Sequence, residues 1–293
     1  MRKPRNAKND CTSNSLPHNR KEVFFDVLKL HFGDLMKCGI ILFSFCAPLI
    51  ALSVYKELAL MSFQELINSI SSEATLFEEI KRMVIFDNLT ALIAIPLFMI
   101  ASVGFAGIMR IIRQFAWEEN VYIRYDFKEG VKQNIRQTIL ASLIVGLFNF
   151  LYTLVQNAVM LTLGGVETYM MIIPKALLAA VFIPALAYTL VSVSLYNNRF
   201  FENVRIGFVL YAENIAKTLF VLLLSALSAV LMLVPNFICK IAGEVVFVFA
   251  LPVCMLGWWL VAYNLLDERI NTINHTDLIG RGTFPVEQEE KGE

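Results

Sequence analysis

The sequence predicts an all-α, polytopic membrane protein with six transmembrane helices in a bundle. Of its 293 residues, 57% are hydrophobic and only 17% are charged, whereas soluble domains carry about 45–50% apolar and about 25% charged residues. Six apolar windows are each long enough to cross a bilayer core of roughly 30 Å as a helix. Their residues do not alternate in polarity, as the strands of a membrane β-barrel would.

The six windows contain no Asp, Glu, Arg or His, and their single Lys is Lys175. A buried helix of a soluble protein can also be apolar all round, but six such runs in one chain favour a membrane. In chain order the windows are residues 38–55, 89–109, 138–163, 172–196, 218–239 and 245–266. Because residues 1–37 precede the first window and no small-residue cleavage motif follows it, we expect a retained span rather than a signal peptide.

The polar ends and the distribution of basic residues predict the topology. Residues 1–20 are expected to form a disordered tail, residues 21–270 the six-span domain, and residues 271–293 a second polar tail. Twenty of the 25 Lys and Arg residues fall on the side of the membrane that holds the N-terminus. The positive-inside rule therefore predicts that both termini are cytoplasmic.

An amphipathic, aromatic stretch precedes the first, third and fifth windows. Each stretch ends in an Asp or Asn, at Asp34, Asn134 and Asn214, three residues before a basic or amide side chain at the membrane edge. Such helices lie in the membrane interface with the apolar face down. The pattern predicts three cytoplasmic interfacial helices and a threefold repeat of one interfacial helix and two spans. The alternative is that amphipathic helices simply accompany the basic loops of any polytopic protein.

The common enzyme motifs are absent from the sequence. It contains no HExxH, GxGxxG, P-loop or GxSxG, and no carboxylate pair inside a window, so we expect no enzyme, no metal site and no cofactor. The 25 basic and 25 acidic residues balance, which gives no indication of a nucleic-acid partner. The remaining enzymatic hypothesis is a lipid-modifying enzyme that uses Glu118, Glu119 and Asp126.

A few polar side chains interrupt the apolar windows. Asn149, Gln156 and Asn157 lie on the third window, and Ser192 extends the pattern on the fourth. These residues are candidates for an intramembrane polar face that lines a solute pathway. The alternative is that they hydrogen-bond to neighbouring helices and stabilise the bundle.

The segment between the second and third windows is the most distinctive polar stretch. Its basic and aromatic residues indicate contact with anionic lipid or with a cytoplasmic partner. The candidate contact set is Arg110, Arg113, Trp117, Arg124 and Arg136. The alternative is that Arg110 and Arg113 only terminate a span and pair with Glu118 and Glu119.

Three stretches resemble the YesL-like family of bacterial membrane proteins. Residues 104–138, GFAGIMRIIRQFAWEENVYIRYDFKEGVKQNIRQT, combine a small-residue span end, a basic helix, a Glu-rich turn and an aromatic elbow helix. The elbow at Phe200–Thr218 and the Pro-containing span at residues 181–198 are also similar to the family. Residues 56–88 are longer than the corresponding family segment. The resemblance implies a location in the bacterial plasma membrane and a role near carbohydrate uptake, and it implies no catalytic residues.

The sequence and this resemblance together leave three functional hypotheses. The first is an integral membrane accessory protein that contacts membrane lipids and a transporter complex for carbohydrate uptake. The second is a facilitator or permease for a small neutral solute. The third is the intramembrane lipid-modifying enzyme.

Overall fold

The computed structural model describes residues 17–284, apart from residues 71, 164–167, 197 and 235. The described residues are almost wholly helical and include no β-strand. Residues 1–16, which make up most of the first predicted tail, and residues 285–293, the end of the second, lie outside the described residues. The helices are α1 (Arg20–Ser69), α2 (Glu73–Ala116), α3 (Ile123–Leu163), α4 (Thr168–Leu195), α5 (Phe200–Glu213), α6 (Ile215–Ala226), α7 (Phe237–Leu266) and the single turn α8 (Thr272–Asn274).

Five helices are long and apolar enough to cross a membrane. They cover Arg20–Ser69, Thr75–Ala116, Ile123–Thr162, Ile215–Leu233 and Phe237–Asn274. A shorter apolar helix, Ala179–Leu195, belongs to α4. The prediction of a helical, multi-pass membrane protein is therefore confirmed.

The chain runs back and forth between two ends of the bundle. We call the end that holds Arg20 and Leu266 the proximal end, and the end that holds Ser69 and Glu73 the distal end. The helices α1 and α2 are much longer than the predicted windows, because neither residues 56–69 of α1 nor residues 73–88 of α2 include a proline or glycine. At a rise of about 1.5 Å per residue, each continues roughly 20 Å past its window at the distal end. Residues 56–88 thus form a helical hairpin.

The packed core lies in the proximal half. Its largest fully buried side chains come from α1, α2, α4, α5 and α7. They are Leu35, Leu42, Ile108, Met109, Ile111, Ile112, Phe115, Tyr188, Leu210, Leu256, Trp259 and Tyr263. In contrast, the span formed by α6 and the 3-10 helix Leu227–Leu233 is largely exposed, with Leu223 68% and Leu233 82% accessible.

The three predicted elbows differ from one another. The backbone of α1 leaves helical geometry at His31, with φ −119° and ψ 15°. A break at Asn214, with φ −132° and ψ 37°, separates α5 from α6. In contrast, α3 continues through Asn134 without interruption. The first and third elbows therefore bend, whereas the second is a straight extension of its span.

Candidate functional site

Asp126 organises the turn between α2 and α3. This carboxylate is 2% exposed and lies in the first turn of α3, where the helix dipole favours negative charge. It accepts hydrogen bonds from the Gln114 amide at 2.9 Å and from the Tyr122 backbone N–H at 2.7 Å. The Arg110 Nε lies 3.4 Å from the same carboxylate. Asp126 therefore fixes the turn, and Arg110 is engaged within the fold.

Arg113 and Trp117 also face inward. The Arg113 guanidinium donates to the Ser194 carbonyl and lies 5.1 Å from the centre of the Trp117 ring. Arg281, from the C-terminal segment, lies 4.8 Å from the same ring. The Tyr263 ring centre is 6.0 Å from that of Trp117. Two cations near one indole make Trp117 a packing centre of the proximal end.

Glu118 occupies a strained position in this turn. Its φ of 54° is in the left-handed region, where non-glycine residues are uncommon. The Glu118 N–H donates to the Phe115 carbonyl at 3.1 Å, and the Glu119 N–H donates to the Gln114 carbonyl at 3.0 Å. This is the Schellman arrangement that ends a helix, in which glycine usually occupies the left-handed position. Partial burial and the nearby carboxylate of Asp26 raise the pKa of Glu118.

The structure separates the candidate contact set into two groups. Arg110, Arg113 and Trp117 are held by internal contacts, whereas Arg124 and Arg136 are exposed. The exposed pair belongs to a larger surface at the start of α3, which we call the α3 stripe. Tyr122 and Tyr125 are 70% and 64% exposed there. The α3 stripe consists of Tyr122, Arg124, Tyr125, Lys128, Lys132 and Arg136.

Helical geometry aligns most of the α3 stripe. Tyr125, Lys128, Lys132 and Arg136 are spaced by three, four and four residues, so they lie on one side of the helix. Arg124, Lys128 and Arg136 form no ion pair with a described residue, and Lys132 lies 4.0 Å from Glu129. The stripe therefore offers positive charge and aromatic area that the described fold does not use. Lys128 and Lys132 are among the basic residues of this segment but were not part of the candidate contact set, although their spacing from Tyr125 places them on one helix face.

The three carboxylates of the enzymatic hypothesis have different environments. Asp126 is buried and bound by three partners, whereas Glu118 and Glu119 lie at the surface, Glu118 with partial loss of hydration. Among the described residues, no group of three or more His, Cys, Asp or Glu side chains could hold a metal ion. The hydrogen bonds of Asp126 therefore stabilise the turn between α2 and α3.

The candidate intramembrane polar residues do not converge. Asn157 donates to the Asp87 carboxylate at 3.0 Å and to the Asn88 amide oxygen at 2.8 Å. Ser192 is fully buried and donates to Asn203 at 2.7 Å. Asn149 and Gln156 are exposed on α3. Two of the four residues thus connect helices, and the other two point away from the packed core.

A second polar network at the proximal end was not predicted. Asp267, in a π-helical turn at Asp267–Asn271, pairs with Arg20 at 2.8 Å and accepts from the Gly280 N–H at 3.2 Å. Asn271 donates to Asp267 at 2.7 Å and accepts from the Tyr196 hydroxyl at 2.5 Å. Residues 271–284 therefore pack against the bundle, although the sequence predicted that they belong to a polar tail.

Ion pairs also connect the helices at the distal end. The Lys56 ammonium lies 2.5 Å from Asp87, and the Lys240 ammonium lies 3.0 Å from Glu57. The Ser53 hydroxyl donates to Glu244 at 2.5 Å. In the sequence these charged residues flank the apolar windows, but which of them form pairs depends on the helix packing.

Comparisons with protein-family models, with curated proteins and with solved structures find no match to this chain.

Proposed function

We propose that this protein is an integral membrane accessory protein that binds another membrane complex through the α3 stripe. The α3 stripe supports this proposal, since it presents four basic and two aromatic side chains, all exposed, on α3 and on the residue just before it. Aromatic and arginine side chains are enriched among the residues that dominate binding at protein interfaces. The fixed turn beneath them, organised by Asp126, lowers the entropic cost of binding. The YesL-like resemblance suggests that the bound complex serves carbohydrate uptake.

The proposal includes a topology of six spans, with α4 as the fourth. In this topology the proximal end faces the cytoplasm of a bacterium, and both termini lie on that side of the plasma membrane. The excess of Lys and Arg in the proximal segments supports this orientation. The bends at His31 and Asn214 support a repeated elbow before the first and fifth spans.

The positions of the intramembrane polar residues favour an accessory role over a solute facilitator. A facilitator needs polar groups that converge on a pathway. Asn157 and Ser192 are instead engaged by Asp87, Asn88 and Asn203, while Asn149 and Gln156 lie on the outer surface of α3. Their positions are those of interhelical connections and of a lateral surface.

Affinity purification of the tagged full-length chain from native membranes, followed by mass spectrometry, tests the proposal. The test variant combines Lys128→Glu with Lys132→Glu, which reverses two charges of the α3 stripe. The control combines Lys81→Glu with Arg82→Glu, which reverses two exposed charges on the distal part of α2. We expect a reproducible transporter partner that the test variant loses and the control retains.

Two results would contradict the proposal. One is a wild-type protein that captures no reproducible membrane complex. The other is a test variant that keeps every partner. If that variant also co-purifies with less anionic phosphatidylglycerol than the wild type, the α3 stripe is a lipid contact instead.

A further inference from the structure

A groove opens on the side of the bundle between α3, α4 and α5. It encloses about 320 Å³, roughly twice the volume of an apolar cavity that binds benzene, so it has room for a chain of about a dozen carbon atoms. Its walls belong to the predicted third and fourth spans and to the elbow helix α5. In the proposed six-span topology the walls from α3 and α4 face lipid hydrocarbon, and the groove shares no residue with the α3 stripe.

Small and aromatic side chains create the groove. Ala141, Ala179 and Ala185 leave space between the helices. Phe182 connects two sides of the groove, since its ring centre is 5.2 Å from that of Phe148 and 6.3 Å from that of Phe208. Three helices thus contribute one ring each to an aromatic wall. A wall of this kind matches a hydrocarbon chain, which makes only dispersion contacts.

Asn149 places a polar side chain in the groove. This residue is exposed in the groove, and its carboxamide has no hydrogen-bond partner among the described residues. It lies about 17 Å from the start of the third predicted span, near the middle of the bilayer core. An unpaired amide in hydrocarbon is costly. A bound molecule that carries a hydrogen-bonding group would remove this cost.

The groove carries no charge. None of its lining residues is acidic or basic, and the hydroxyl of Thr189 is already bound to the Ala185 carbonyl at 2.7 Å. A charged head group would therefore lie in a low-dielectric site without a counter-ion. A neutral carbonyl or hydroxyl group could instead bind the Asn149 amide, which both donates and accepts hydrogen bonds.

We infer that the groove is a binding site for a single-chain, uncharged lipid whose neutral head group bonds to Asn149. The hydrocarbon chain lies along the aromatic wall formed by Phe148, Phe182 and Phe208. This inference goes beyond the proposed function. It rests on the proposed six-span topology, which places α4 in the membrane, but not on the α3 stripe, because it concerns other residues and a different ligand.

Photo-crosslinking in phosphatidylcholine nanodiscs tests the inference. The probe is a monoacylglycerol with a diazirine in its chain and a terminal alkyne, and a lysophosphatidic acid with the same chain is the charged comparison. Adducts are located by mass spectrometry on peptides that line the groove and on the exposed α6 peptide around Leu223. Asn149→Leu is the test variant, and Gln156→Leu, two turns further along the same face of α3 but outside the groove lining, is its matched control.

We expect the neutral probe to label the groove peptides, with unlabelled monoacylglycerol as an effective competitor there but not at Leu223. Asn149→Leu should weaken that competition by about 2- to 10-fold, the value of one hydrogen bond, whereas Gln156→Leu should leave it unchanged. Labelling that matches the Leu223 peptide and resists competition would overturn the site. Equal competition by the charged lipid, or no effect of Asn149→Leu in a variant with normal thermal unfolding, would overturn the ligand class.

Discussion

Two carboxylates at the proximal end of the bundle, Asp126 and Asp267, are surrounded differently from the Lys240–Glu57 ion pair at the distal end. At the proximal end, the Asp126 side chain is 3% exposed, and Asp267 and Arg20 are 16% and 12% exposed. Each of these carboxylates has several partners. At the distal end, Lys240 and Glu57 are 38% and 36% exposed. The comparison indicates that the buried Asp126 and Asp267 sites are rigid, whereas the Lys240–Glu57 pair tolerates change.

This difference places the proposed docking surface beside the rigid Asp126 site. The α3 stripe begins at Tyr122, whose backbone N–H donates to the Asp126 carboxylate. The same carboxylate accepts from the Gln114 amide, so it fixes the turn before α3. An exposed surface on a fixed support loses little conformational freedom when it binds. Substitutions at the two kinds of site should therefore differ in effect, and the loss of stability should be largest at Asp126.

The removal of Asp126 should be the most damaging change. Asp126→Ala leaves the Arg110 guanidinium and the Gln114 amide without their carboxylate in a buried site. The loss of one partner of a buried ion pair costs about 3–5 kcal/mol. Thermal unfolding in nanodiscs, followed by tryptophan fluorescence, measures this loss. Asp277→Ala, at an exposed position of the same end, is the control. Equal unfolding temperatures for the two variants would contradict the stabilising role of Asp126.

A methyl group at Gly130 should separate α2 from α3. A Cβ atom there would lie 2.6 Å from the Gly107 carbonyl oxygen and 2.9 Å from the Arg110 Cβ. Because the Gly107 carbonyl oxygen is a backbone atom, the two helices must move apart to make room. We expect Gly130→Ala to lower the free energy of unfolding by about 1–3 kcal/mol. Gly33→Ala is the control, since nothing lies within 4 Å of its Cβ position. That variant should gain about 0.5–1 kcal/mol in helix stability.

The left-handed backbone of Glu118 predicts a stabilising change. Glycine adopts φ near 54° without steric cost, so Glu118→Gly should stabilise the protein by about 1 kcal/mol. The measurement is the same thermal unfolding experiment. Glu119→Gly is the control, because Glu119, the next residue, does not have a positive φ. A loss of stability in Glu118→Gly would show that the carboxylate contributes more than the strain costs.

The pH dependence of a second variant separates charge from strain. Since the folded protein raises the pKa of Glu118, it binds that proton more tightly than the unfolded chain does. The stability from this proton is complete below the ordinary value of 4.5 and is lost as the pH rises through the folded pKa. Glu118→Gln should therefore raise stability at about pH 8 and have little effect near pH 4. The gain from Glu118→Gly should persist at both values.

The sequence predicted the helical membrane class because composition and run length alone determine it. It could not predict how far each helix extends, since residues 56–69 lack a helix breaker but are too polar for an apolar window. The candidate contact set shows a similar limit. Arg113 and Arg124 are both basic residues at a span edge, and only the packing of Ser194 and Trp117 against Arg113 distinguishes the buried one from the exposed one.

The smallest effect should come from the distal pair of Lys240 and Glu57. Both side chains are more than one-third exposed, and exposed pairs of this kind contribute about 0–1 kcal/mol. We expect Lys240→Gln to lower stability by less than about 1 kcal/mol, against the several-fold larger loss at Asp126. The double variant with Glu57→Gln completes a mutant cycle that isolates the interaction of the two side chains.

The same cycle locates the distal edge of the membrane. If the pair lay in hydrocarbon, Lys240→Gln would leave the Glu57 carboxylate without a counter-ion in a low-dielectric medium, and the loss would approach that of a buried pair. A small coupling that disappears in high salt places the pair in water-accessible surroundings, because salt screens exposed charges. Residues 56–88 would then project into the aqueous phase as a free hairpin. A coupling of several kcal/mol that resists salt would instead abolish the contrast between the two ends.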